Sequence, residues 1–110
     1  MGKLRFRSHV VVGALSTEGG TKVQDIFHGT VSIDPPSIAA DAEGTATATI
    51  SGAATTDLVF VTAPSNLDAG LIPKGATITS GNTLTVTIAN ESGGTIDAAA
   101  KNWAYLIVRP

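Results

Sequence analysis

The sequence predicts an all-β fold, a jelly-roll-like or Greek-key antiparallel β-sandwich of about seven to eight strands. Three observations lead there. Apolar and polar residues alternate with a period of two in one segment after another, the pattern of strands with one buried face. Gly, Pro, Asn, Asp and Ser recur between these segments, about every 8–12 residues. No segment with helical spacing is long enough for a βαβ crossover.

In residues 3–12, Leu4, Phe6, Val10 and Val12 share one face, while Lys3, Arg5, Arg7 and His9 share the other. Residues 16–20 are rich in Ser, Thr and Gly and read as a link. In residues 27–33, Phe27, Val31 and Ile33 alternate with His28, Thr30 and Ser32, and Asp34-Pro35-Pro36 ends the strand, because proline cannot donate to a ladder. Residues 45–50 set Thr45, Thr47 and Thr49 against Ala46, Ala48 and Ile50, with the β-branched threonines on the exposed face. Residues 58–61 are apolar on both faces, which predicts a central strand covered on both sides.

Residues 65–71 read as a loop or a helical turn capped by Ser65. A short strand at residues 76–79 and another at 83–89 flank Ser80-Gly81-Asn82, where Gly and Asn tolerate positive φ, so the two form a hairpin. Leu84, Val86 and Ile88 point inward from the second strand. After a loop at residues 90–94, Asp97 is placed to cap one turn through Ala100. The closing strand at residues 103–109 carries Trp103, Tyr105 and Ile107 on one face and Ala104, Leu106 and Val108 on the other. The organisation is therefore an extended basic arm and link at residues 1–20 and a β-sandwich domain at residues 21–110.

Composition narrows the function. Charged residues are 15% and apolar residues 43% of the 110, against a usual quarter charged. Such a chain forms close sheet and subunit contacts and supplies few side chains for catalysis. There is no cysteine, which excludes disulfides, thiol chemistry and Cys-based metal sites. No run of eighteen apolar residues exists to span a membrane. The basic start and the apolar residues 10–15 resemble a signal peptide superficially, but the apolar stretch is too short and Thr17-Glu18-Gly19-Gly20 is a poor cleavage region. Charge is uneven: Lys3, Arg5 and Arg7 give +3 in the first ten residues, and the remainder has four basic against nine acidic residues, or −5, for the total of −2.

Residues that carry chemistry are sparse. His9 and His28 are the only imidazoles, and no His/Asp/Glu cluster has metal-ligand spacing. The serines lie in no nucleophile elbow. Gly19-Gly20 and Gly93-Gly94 precede no helix and form no phosphate cradle. Asp25, Asp34, Asp41, Asp57, Asp68 and Asp97 sit mostly at element ends and read as Asx-turns and caps. Asn90-Glu91-Ser92 matches a glycosylation sequon, a pattern that arises readily by chance. No catalytic, cofactor-binding or metal-binding residue is expected.

The amino-terminal arm is the functional lead. It reads either as an edge strand protected by charge or as an arm that docks on an acidic partner. The candidate partner-binding residues are Lys3, Leu4, Arg5, Phe6, Arg7 and Val10. Three cations on an acidic body are a poor footprint for nucleic acid.

Several stretches carry a family likeness: Ser37-Ile38-Ala39-Ala40 leading into residues 45–53, Asp57-Leu58-Val59-Phe60-Val61-Thr62-Ala63-Pro64, and Leu67-Asp68-Ala69-Gly70-Leu71. Residues 82–90, an Asn-Thr-hydrophobic-Thr-Val strand ending in Asn, and Gly94-Thr95-Ile96-Asp97 with residues 103–109 complete it. Over residues 29–109 the chain resembles small β domains of tailed-phage structural proteins. The resemblance implies a capsid decoration (cement) protein on the outer surface of the virion. Such a protein binds the major capsid protein and itself, as a homotrimer, without cofactor, nucleic acid or membrane. The alternative it leaves is a head- or tail-fibre or receptor-binding module that recognises a host glycan or protein, for which Trp103 and Tyr105 are the aromatic candidates.

Overall fold

Alternation becomes strand pairing in the computed structural model, which describes residues 23–110. Six strands form: β1 (Asp25–Ile33), β2 (Glu43–Thr49), β3 (Leu58–Thr62), β4 (Leu71–Ser80), β5 (Thr83–Asn90) and β6 (Lys101–Arg109). They make two antiparallel sheets of three, ordered β1-β6-β3 and β2-β5-β4. The architecture is all-β, consistent with a sandwich, with six strands among the described residues where seven to eight are expected for the chain. The expected strand at residues 3–12 lies outside the described residues.

The core follows from the period-two pattern. β5 buries Leu84, Val86 and Ile88, and β6 buries Trp103 and Ile107, all to 0% exposure. Ile33, Ala46, Ile78 and Leu71 join them from the other strands. These are the central strands of the two sheets, so their inward residues face the opposite layer along the whole length. Gly29 pairs with Tyr105. A Cβ there would come within 2.9 Å of the Tyr105 hydroxyl oxygen, so glycine leaves the space that the tyrosine ring fills.

The hairpin forms where Gly81-Asn82 predicts it, with Asn82 at a φ of 66°. The same turn holds the β2–β3 connection. The Asn82 carbonyl accepts from Ile50 N–H, its own N–H donates to the Ala53 carbonyl, and its Oδ1 accepts from Gly52 N–H at 2.8 Å.

Three expectations change, and one reading left open is decided. Residues 58–61 do not form a central strand: β3 is the edge of its sheet, with Leu58 53% and Phe60 58% exposed. Apolarity on both faces fixes neither the cover nor the place in the sheet: the outer face of β3 stands open, and position within a sheet is set by backbone pairing. β4 begins at Leu71, well before residue 76, and contains Pro73; it is an edge strand, where a missing N–H costs no ladder bond, and its register shifts between Pro73 and Gly75. Asp97 caps no turn, because Ile96 pairs with Ile38 through two 2.9 Å backbone bonds and holds that segment extended. Residues 65–70 are a loop without a helix.

Candidate assembly surface

Strand register builds one surface that no single strand reveals. β6 pairs with β1 on one side and β3 on the other, so outward residues line up in rows: Ile26, Val108 and Leu58; then His28, Leu106 and Phe60; then Thr30, Ala104 and Thr62. The outer face of β1-β6-β3 therefore has an apolar centre. Ile26, Leu58, Phe60 and Leu106 are all exposed on it. Gln24, Ser32 and Asn102 extend it as a polar rim. It holds no Asp, Glu, Lys or Arg, although these are 15% of the chain.

The charges of this sheet are drawn to its two ends. At one end, Arg109 closes β6 and makes a bidentate pair with Asp57, which precedes β3: Nε donates to Oδ1 and Nη2 to Oδ2, both at 2.8 Å. Nη2 also donates to the Gly52 carbonyl at 2.7 Å, and the guanidinium lies 5.7 Å from the centre of the Phe27 ring. The Asp57 side chain is fully buried and also accepts from Ala54 N–H at 2.9 Å. At the other end, Lys101 Nζ pairs with Asp68 at 2.6 Å. Both cations of the sheet are thus engaged beside the apolar rows rather than on them.

The Arg109 guanidinium holds the Asp57 carboxyl below its ordinary value of 3.8; burial opposes this and the Ala54 N–H supports it. The same contact raises Arg109. Because the folded carboxyl binds its proton less readily than the unfolded one, the clamp stabilises the fold above the ordinary value. That contribution disappears as pH falls through the lowered one. Asp57→Asn is expected to cost about 1–3 kcal/mol at neutral pH. The melting difference between wild type and Asp57→Asn should shrink below about pH 4. A difference independent of pH would show that the carboxylate charge contributes nothing.

No family model, curated protein or solved structure matches the chain. The candidate partner-binding residues Lys3, Leu4, Arg5, Phe6, Arg7 and Val10 all lie outside the described residues. Trp103 and Tyr105 lie on the inner face of β6, where Trp103 is completely buried and Tyr105 packs against the core. They offer no exposed aromatic platform. Among the described residues, no group of three or more His, Cys, Asp or Glu is placed to hold a metal ion.

The opposite sheet presents a different surface. Its register sets Thr45, Thr47 and Thr49 of β2 beside Thr87, Thr85 and Thr83 of β5, and Thr79 and Thr85 share a 2.8 Å hydroxyl bond. Cross-strand threonine pairs stabilise an exposed sheet without any ligand. A concavity of ≈ 350 Å³ opens there between Lys74, Thr77, Thr85 and Thr87. Among the described residues, Trp103 Nε1 is the one buried side-chain polar atom without a partner, and it does not line this concavity.

The sequence pattern did not reveal the apolar face, because its residues come from three strands far apart in the chain. The available signal was that residues 58–61 and 103–109 are apolar at both parities.

Proposed function

We propose that this chain is a decoration (cement) protein of a tailed-phage capsid, acting as a homotrimer that binds the assembled lattice. The observation that carries the reading is the uncharged, exposed apolar face of β1-β6-β3 on an otherwise acidic body. Residues 23–110 hold three cations, Lys74, Lys101 and Arg109, against eight carboxylates, a balance of −5. A face of this kind serves contact between proteins. The resemblance of residues 29–109 to phage β domains adds the class of partner, and would make the two sheets a jelly-roll-like or Greek-key sandwich. The mechanism is mass action: a ligand that binds only the assembled capsid stabilises it in proportion to its occupancy. The fibre alternative draws no support from Trp103 and Tyr105, since both face inward.

The test compares the full chain with a form lacking residues 1–16, by melting and by binding to undecorated capsids. The full chain is expected to bind and to raise the capsid's melting temperature. The shortened form is expected to melt normally and bind more weakly, with a salt dependence that reports the loss of Lys3, Arg5 and Arg7. Absence of binding by the full chain would overturn the decoration reading. Equal binding by both forms would place attachment on the body alone.

A further inference from the structure

We infer that the free edge of β1 receives residues 3–12 of a second copy, the basic arm, as an added strand, and that three copies exchange arms in a ring. The inference rests on the homotrimer of the proposed function and assigns its contact. An exposed strand edge binds an extended segment through unpaired backbone groups, and side chains select the segment. Each sheet has two edges, and three of the four are guarded. β4 carries Pro73 and two register shifts, and β3 has only five residues. The start of β2 lies against Pro36 and Ile38, which stand 3.0 and 3.1 Å from where a Cβ on Gly44 would be. β1 pairs with β6 over nine residues without a shift and holds no Pro, Lys or Arg.

Two features of this edge select the arm as occupant. The inward residues Phe27 and Val31 pack on the core yet stay only half-buried, so the inner layer is open beside β1. Leu4, Phe6, Val10 and Val12, on one parity of residues 3–12, are the apolar residues that would continue it. The other parity carries Lys3, Arg5 and Arg7. Asp25 and Asp34 stand exposed at the two ends of β1, outside the ion pairs of the described residues. A basic arm therefore meets an acidic edge, and this attraction offsets the repulsion between acidic bodies.

The contact joins unlike surfaces, arm to edge, so it runs head to tail and closes as a ring rather than as a face-to-face pair. The tether is residues 13–22, ten residues that reach at most roughly 35 Å. That exceeds the length of a nine-residue strand, about 30 Å. A ring also presents three bodies to a capsid at once, so a chain without its arm binds more weakly through lost avidity.

The absence of cysteine supplies a direct test. Full-length His9→Cys/Thr30→Cys treated with a short bismaleimide should give covalent species of two and three copies, with positions 9 and 30 joined in the peptide digest. Mixing His9→Cys with Thr30→Cys should give a two-copy product in about tenfold higher yield than mixing His9→Cys with Thr47→Cys, since Thr47 lies exposed on the other sheet. Light scattering should give three times 11.1 kDa for wild type. It should give a single copy for Phe6→Asp, with the circular dichroism of wild type. If Phe6→Asp unfolds, the cross-linking pair decides.

A wild type that stays a single copy overturns the inference, as does a folded Phe6→Asp of wild-type mass. So does equal cross-linking at positions 30 and 47. A double variant that links positions 9 and 30 only within one copy at every concentration places the arm on its own body, and also overturns it. Arm exchange without capsid binding overturns decoration alone. Capsid binding by a three-copy form in which positions 9 and 30 do not link overturns this inference alone.

Discussion

Replacing Trp103 with alanine is expected to destabilise the protein by about 3–5 kcal/mol, the cost of removing a fully buried large aromatic side chain. Trp103 has 0% exposure near the start of β6, opposite Val31 of β1, and belongs to the cluster that includes Ile33, Leu84, Val86, Ile88 and Ile107. β6 is the middle strand of its sheet, so a cavity there removes contacts from both layers. A loss of this size consumes a large part of the 5–15 kcal/mol by which folded domains are stable. The measurement is the denaturant midpoint of both proteins at one fixed concentration, since self-association couples stability to concentration. Trp103→Phe is the informative partner. It keeps most of the aromatic burial and removes the indole N–H, whose Nε1 has no hydrogen-bond partner among the described residues. Its cost should stay below about 2 kcal/mol. Unchanged melting of Trp103→Ala would overturn this account of the core.

The parts of the fold legible in the sequence are those fixed by neighbours along the chain. Phe27, Val31 and Ile33 in β1, and Leu84, Val86 and Ile88 in β5, announce their strands because each strand has one face against the core. The hairpin was legible in Gly81-Asn82, since few other residues accept the φ that Asn82 adopts. What was not legible depends on pairing. Leu58 and Phe60 look like the residues of a central strand until β3 is seen at an edge. Arg109 and Asp57 stand 52 residues apart, and only the pairing of β3 with β6 brings them together. The assembly surface is hidden for the same reason: Ile26, Leu106 and Phe60 become neighbours through register alone. Asn90 was assigned to a loop by its residue type, yet it ends β5 with no exposed surface, which also closes it to glycosylation in the folded chain.

Asn90 carries the second large effect. Asn90→Ala is expected to cost about 2–4 kcal/mol. Its amide uses its full capacity: Nδ2 donates to the Ile38 and Gly94 carbonyls, each at 2.8 Å, and Oδ1 accepts from Ser92 N–H at 2.9 Å and from the Ser92 hydroxyl at 2.7 Å. These bonds tie the β5–β6 loop to the segment after β1, beside the backbone pairing of Ile38 with Ile96. Removing the amide orphans Ser92 N–H and strips one donor from each carbonyl. Hydrogen exchange at the Ile38 and Ile96 amides should therefore accelerate more than exchange in β5. Asn90→Asp separates bonding from shape. An ionised aspartate has the same outline but cannot donate, and its charge would face two carbonyl oxygens in a buried site. Such a site raises the carboxyl's folded-state pKa, so the substitution penalty is small while the group is protonated and grows as pH rises through the unfolded value. Asn90→Asp should thus melt above Asn90→Ala in acid and lose that advantage toward neutral pH. Parallel melting curves for the two variants across that range would show that volume, rather than the four hydrogen bonds, is what Asn90 contributes.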